Sequence, residues 1–296
     1  MKNEEILAIF EDYLRNGKNA PENTLASYLR DIRQLADFLE KEEGTTLYNA
    51  TDENLNNYIS KLRADGKSVA TVSRAIASIK ALYTNLCINQ YLKKNPALKL
   101  VPDKQKQKLP EILTDEEIQQ LLRQPKCIDA KGYRDHAMLQ LLYATGIRVS
   151  ELIDLNLEDY DSKTGLIRCD SRGRERFVPV GAAAPAVDKY LKVVRPQMVA
   201  DEEEEALFVN ISGQRMSRQG FWKIVKYYSR KAGIEKDITP HTLRHSFAAR
   251  LIEGGTDLRS VKEILGHADL SSTTVYSNII NGNLKEVYDK THPYAK

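Results

Sequence analysis

Leu166-Ile-Arg-Cys-Asp-Ser-Arg-Gly-Arg-Glu-Arg-Phe-Val-Pro-Val180 decides the fold class, because here a chain of helical patterns turns extended. Two short runs, Leu166 to Cys169 and Arg176 to Val180, flank the polar, glycine-containing Ser171 to Glu175. That arrangement predicts a β-hairpin with a basic tip. Toward the N-terminus, a helix is expected from Tyr133 to Tyr143. It is broken by Ala144-Thr-Gly146, and Arg148-Val-Ser-Glu151 opens the next helix, with Arg148 in its first turn. Thr114-Asp-Glu-Glu117 is a capping box that starts an earlier one. Toward the C-terminus, helical spacing runs from Ala183 to Val194, Arg218 to Lys231, His241 to Ile252, Asp257 to Leu265 and Ser271 to Ile279. The region is therefore mainly α with one small sheet.

The first hundred residues carry four further helical stripes. Ile6, Ile9, Phe10, Tyr13 and Leu14 lead to Gly17. Leu25, Leu29, Ile32, Leu35 and Leu39 follow Pro21 and stop at Gly44. Leu55, Tyr58, Ile59 and Leu62 follow a cap at Thr51 or Asp52, and Val72, Ile76, Ile79, Leu82 and Leu86 follow Ser68. Four such stripes predict a small helical bundle. Between bundle and hairpin region, Pro102-Asp-Lys-Gln-Lys-Gln-Lys-Leu-Pro110 has almost no apolar content, which predicts an interdomain linker. The expected organisation is a helical domain over 1–101, a linker over 102–110 and a second domain over 111–296.

Composition sets the outer bounds. With 42% hydrophobic and 29% charged residues the chain can bury two cores, and disorder is excluded as a global description. No apolar run is long enough to span a bilayer, and the acidic start predicts no secretion signal. Cys87, Cys127 and Cys169 are far apart and form no CxxC pair, as expected of reduced thiols in a cytoplasmic protein; zinc and other metals are not expected. Net charge is only +3, but five acids are concentrated in Asp201 to Glu205. The remainder of 111–296 is then net positive, so a basic face is compatible with near-neutral totals. An ordinary mixed surface fits the charge equally well.

Three segments place titratable residues at helix ends. In Thr145-Gly-Ile-Arg148-Val-Ser-Glu151, an arginine fork suited to bidentate phosphate binding sits three residues before a carboxylate able to fix its rotamer. In Thr239-Pro-His241-Thr-Leu-Arg244-His245, His241 and Arg244 share one helix face, while His245 points elsewhere. In Leu265-Gly-His267-Ala-Asp-Leu-Ser-Ser-Thr-Thr-Val-Tyr276, a glycine ends one helix, His267 occupies the turn and Tyr276 follows in the next helix. Taken singly, each reads more readily as a surface ion pair, a packed histidine or a half-buried tyrosine.

Together, in this order and spacing, these segments resemble the signature of the tyrosine recombinases, the phage-integrase family. The likeness extends to Pro21-Glu-Asn-Thr-Leu-Ala-Ser-Tyr-Leu-Arg-Asp-Ile, which resembles the family's SAM-like core-DNA-binding domain, and to His292-Pro293, which is similar to the Xer branch that resolves chromosome dimers. The compact length, without room for an arm-binding domain, also favours that branch. The resemblance implies two domains forming a C-shaped clamp on duplex DNA at a specific core site. It implies a tetramer, homomeric or with a second recombinase, in which residues 283–296 dock into a neighbouring subunit. A cell-division DNA translocase is an activator by analogy. It further implies that Arg148 and Arg244 clamp the scissile phosphate, that His241 and His267 add hydrogen bonds, and that Tyr276 attacks, with no ATP, metal or other cofactor. Three rivals stay open: an integrase of a mobile element, a type IB topoisomerase, and a non-catalytic DNA-binding accessory protein.

One position departs from the family. A hairpin lysine usually protonates the leaving 5′-oxygen, but this chain has Arg172 there, with Arg174 beside it as a DNA-contact candidate, and no lysine between Lys163 and Lys189. A guanidinium holds its proton too firmly to act as a good general acid.

Overall fold

The computed structural model describes residues 1–102, 111–170, 173 and 175–266. The chain divides into two compact units, Met1–Gln107 and Lys108–Lys296. The stretch 103–110 within the expected linker lies outside the described residues, as do Arg172, Arg174, His267, Tyr276 and the helices expected over 271–279 and 283–296.

The first unit is built from α1 (Asn3–Asp12), which widens into a short π-turn over Tyr13–Gly17, then α2 (Glu22–Glu42), α3 (Asp52–Ala64) and α4 (Val69–Ile88). Caps set the starts where the sequence puts them: Thr51 Oγ1 accepts from the Asn54 backbone N–H, and Ser68 Oγ from that of Thr71. The apolar stripes meet in one core containing Phe10, Leu29, Leu35, Leu47, Leu82 and Tyr83, all buried. A buried carboxylate fastens α2 to α4. Asp31 accepts from Arg74 Nε and Nη2, each at 2.9 Å, and from Ser78 Oγ at 2.9 Å. With its lone pairs occupied, the charge is tolerated inside the bundle.

The second unit comprises α5 (Asp115–Leu122), α6 (Ala130–Thr145), α7 (Val149–Asp154), a three-stranded sheet, α8 (Ala184–Lys189), α9 (Arg218–Lys231), α10 (Pro240–Glu253) and α11 (Leu258–Leu265). The hairpin is present as β2 (Leu166–Asp170) and β3 (Glu175–Pro179). It is antiparallel, with Cys169 opposite Arg176, and a two-residue strand, β1 (Tyr160–Asp161), adds to its edge. The helix expected over 183–194 is shorter: α8 gives way to a π-turn at Tyr190–Val194 and a 3-10 turn at Arg195–Gln197. Helix α6 is central, packing against α5, α7, α8 and α10. Met138, Leu139, Leu141 and Leu142 are all fully buried in a core that also takes in Leu152, Ile167, Val178, Phe208, Phe221 and Leu243. No described helix is long and apolar enough to cross a membrane.

Candidate active site

The site begins where α6 stops. Gly146 takes a left-handed conformation (φ +60°), and its N–H donates to the Leu142 carbonyl at 3.0 Å. Glycine is required there for space as well as for φ, since a Cβ would lie 2.2 Å from the Phe247 ring. Ile147 then buries itself, which delivers Arg148 to the start of α7. Arg148 is the extended N-cap residue (φ −71°, ψ 151°) rather than a member of the first turn, because Glu151 reaches back to accept its backbone N–H at 2.7 Å. The same carboxylate accepts from Arg148 Nη1 at 3.1 Å, so backbone and guanidinium are held by one side chain.

Helix α10 supplies the second arginine. Thr239 caps it, Pro240 occupies its first turn, and Arg244 lies buried one turn in. Arg244 Nη1 donates to the Gly146 carbonyl at 2.5 Å and Nη2 to the Leu265 carbonyl at 2.6 Å. His241 stands exposed on the same helix, near enough that the charges of Arg244 and Arg148 both act on it. Loss of hydration is the larger cause, and these cations the smaller, of a His241 pKa below the usual imidazole range. His245 lies deeper, its ring centroid 6.4 Å from that of His241. Burial, then His241 and Arg244, bring it down to about 4. Both shifts favour the uncharged ring, the form in which His241 can accept a proton.

Helix α11 completes the arrangement. Asp257 caps its start, and Gly266 ends it in the left-handed conformation (φ +62°). Its last carbonyls lack helical partners, and three arginines supply them. Arg176 Nε donates to Ile264 O at 3.0 Å, Arg244 Nη2 to Leu265 O, and Arg148 Nη2 to Gly266 O at 2.7 Å. Three guanidiniums thus converge on the negative end of one helix dipole, immediately before His267 in the chain. Among the described residues Glu151 is the carboxylate that pairs with Arg148 and Arg176, so these three arginines and Glu151 together carry a formal surplus of two positive charges. Such a surplus in a partly dehydrated pocket suits an anion whose charge increases during reaction.

The structure therefore brings Arg148, Glu151, His241 and Arg244 together; Arg172, Arg174, His267 and Tyr276 fall among the residues not described. The sequence reading passed over Arg176, whose Nη1 and Nη2 donate to both oxygens of Glu151 at 2.7 and 2.9 Å. A signal existed. In β3, Arg176 and Val178 alternate inward while Phe177 faces out, and an arginine on the core-facing side of a strand demands a carboxylate partner. Cys169, opposite Arg176, is buried with its thiol pushed up to about 12, first by burial, which leaves it unreactive. Among the described residues no group of side chains could hold a metal ion.

Comparison with known proteins gives this geometry its context. The model of the phage integrase family matches residues 111–281, and that of the phage integrase N-terminal SAM-like domain matches residues 7–89. The chain belongs to the phage integrase family. Family membership makes it a tyrosine recombinase, with the helical first unit and small-sheet second unit typical of that group. It is 42% identical over 290 residues to tyrosine recombinase XerD of Oceanobacillus iheyensis, covering 97% of both chains. The crystal structure of XerA recombinase aligns over 99% of both chains at 26% identity, with a TM-score of 0.54. That of XerH bound to a palindromic difH substrate after cleavage aligns over 95% of this chain and 83% of the other, at 22% identity and a TM-score of 0.76.

Proposed function

We propose that this chain is the site-specific recombinase of a chromosome-dimer resolution system, cutting and rejoining duplex DNA through a 3′-phosphotyrosyl bond at Tyr276. The observation that carries this reading is the seating of Arg148 and Arg244 on the adjacent carbonyls of Gly266 and Leu265, ten residues before Tyr276. The forks of two fixed guanidiniums suit the non-bridging oxygens of one phosphate, and their charge offsets the second negative charge that forms as the phosphorus becomes pentavalent. Neutral His241 takes the phenol proton, His267 adds a hydrogen bond, and the Tyr276 oxygen attacks phosphorus as the bond to the 5′-oxygen breaks. The 5′-oxygen takes a proton from water or a histidine and leaves as a hydroxyl, and the reverse attack by a 5′-hydroxyl of the partner duplex restores the diester and returns a proton to the Tyr276 oxygen. Phosphotyrosine keeps the energy of the original bond, so neither ATP nor a metal enters.

In this reading residues 1–101 bind core DNA, 102–110 link and 111–296 catalyse. Two duplexes are brought together by four subunits, all of one kind or shared with a second recombinase, in the cytoplasm. A DNA translocase of the division machinery triggers exchange. The similarity to relatives named XerD along nearly the whole chain supports this role over that of a mobile-element integrase.

Footprinting and 3′-end mapping over the chromosome's dimer-resolution region locate the cleavage site; a duplex nicked beside that site then serves as suicide substrate. The expected result is a covalent protein–DNA adduct that Tyr276→Phe does not form. A wild-type protein that binds the site and traps no adduct would sink the reading and favour the accessory DNA-binding protein, the alternative to which the missing hairpin lysine points. If adducts do form, Arg172→Lys is the next informative change. Guanidinium neutralises the leaving alkoxide but donates its proton poorly, so lysine is expected to raise single-turnover cleavage by about 10-fold or more. Slower cleavage by Arg172→Lys, with Arg172→Ala fully active, would remove Arg172 from the mechanism.

A further inference from the structure

We propose that Arg176 is a positioning residue for strand cleavage, tying Glu151, the carboxylate that orients Arg148, to the end of α11. The inference rests on the tyrosine-recombinase reading of the site and deepens it. All three donor nitrogens of Arg176 are committed: Nη1 and Nη2 to the two oxygens of Glu151, Nε to the Ile264 carbonyl. Its side chain is only 14% exposed, against 31% for Arg148. Arg176 thus acts through its neighbours, and Arg148 is the more exposed of the two arginines.

Glu151 is the pivot. Its Oε1 accepts from Arg148 Nη1 and Arg176 Nη1, and its Oε2 from the Arg148 backbone N–H and Arg176 Nη2. A carboxylate gripped at both oxygens by a planar fork cannot rotate, and what it holds cannot rotate either. Burial pushes the Glu151 carboxyl up, but the Arg176 hydrogen bonds, followed by those of Arg148, bring it below the usual carboxylate range. On the far side, the approach to α11 is close. A Cβ on Gly266 would fall 2.7 Å from Arg176 Nη1 and 2.8 Å from Cζ, so the glycine that ends α11 also makes room for the guanidinium. The chain continues from that glycine directly into His267. One side chain on the hairpin therefore fixes both the Arg148 rotamer and the point from which the His267–Tyr276 segment departs.

The competing account is a buried ion pair that only stabilises the hairpin. An apolar side chain of similar length would then replace it without loss of chemistry. The test uses the full-length protein on the nicked duplex carrying the mapped site. It measures single-turnover adduct formation, affinity for that duplex and thermal melting for Arg176→Met, Arg176→Lys, Glu151→Gln and the Arg176→Met/Glu151→Gln pair. A positioning role predicts that Arg176→Met binds the duplex within about 3-fold of wild type yet cleaves about 100-fold more slowly, the scale expected for a small misplacement of a catalytic group. Arg176→Lys recovers part of the rate, because one ammonium neutralises Glu151 but cannot span both its oxygens and Ile264. The double variant is no slower than its slower parent, because both changes break one chain of contacts.

Wild-type cleavage by folded Arg176→Met overturns the proposal, as do losses that multiply in the double variant or a fall in affinity that matches the fall in rate. Should Arg176→Met fail to fold, Arg176→Lys decides. Slowed cleavage at unchanged affinity supports the assignment, and full cleavage refutes it. A wild-type protein that traps no adduct marks the failure of the recombinase reading itself.

Discussion

Arg244→Ala is expected to reduce single-turnover cleavage by about 1000-fold or more while weakening duplex binding far less. A buried, pre-oriented donor aimed at charge that develops only in the transition state is worth about 100- to 1000-fold by itself, and a charged fork exceeds a neutral donor. In the proposed reading duplex affinity comes instead from many phosphate contacts, of which that of Arg244 would be one. Arg244→Lys is the sharper variant. Lysine keeps the positive charge but has no fork, and Nη1 and Nη2 of the native side chain are already spread between the carbonyls of Gly146 and Leu265. An ammonium cannot satisfy both carbonyls and still face a phosphate, so a loss of about 100-fold or more is expected despite conserved charge. Arg244→Lys leaves at least one of these carbonyls short of a donor and Arg244→Ala leaves both, at a cost of about 1–3 kcal/mol each, which lowers the melting temperature by several degrees. Rates are therefore compared well below that transition. Cleavage by Arg244→Lys at the wild-type rate would show that charge alone suffices, and the fork argument would fail.

Much of this site could be read in the sequence, and what escaped did so for a common reason. Helix starts at Thr51, Ser68 and Thr114 were legible because a cap is a local event, one side chain bonding a backbone N–H three residues on. The hairpin was legible from its two extended runs, and Glu151 from its spacing to Arg148. Arg176 was not, because its partners lie 25 and 88 residues away and only folding brings them into reach. Asp31 and Arg74, 43 residues apart, are the same case in the first unit. Helix α6 shows another limit. It is buried on most sides, carrying even Arg134 and Asp135 into the core, where they pair at 2.7 Å. Such a helix has no single apolar stripe, and the span expected over Tyr133 to Tyr143 falls short of the observed Ala130–Thr145 at both ends. The roles of Arg148 and Arg244 came from resemblance; the carbonyls that hold them came from the fold.

Gly146→Ala is expected to damage both levels at once, and the two effects are separable. A non-glycine residue at φ +60° costs about 1 kcal/mol or more, and a Cβ placed 2.2 Å from the Phe247 ring forces a displacement worth about 1–3 kcal/mol. For a unit of this size the sum lowers the melting temperature by about 5–15 °C. The displacement also reaches the chemistry. The Gly146 carbonyl accepts from Arg244 Nη1, and Arg148 lies two residues further along the chain. Any shift of the turn to clear Phe247 therefore moves a contact of each proposed clamp arginine, and cleavage should fall by about 10- to 100-fold even where the protein stays folded. Phe247→Leu in the same chain separates the causes: a smaller side chain relieves the overlap but leaves the backbone strain. Partial recovery of both melting temperature and rate is the expected outcome. A Gly146→Ala protein that melts within about 2 °C of wild type and cleaves normally would mean that the turn relaxes freely. The idea that the α6 stop holds the two arginines in place would then have to be given up.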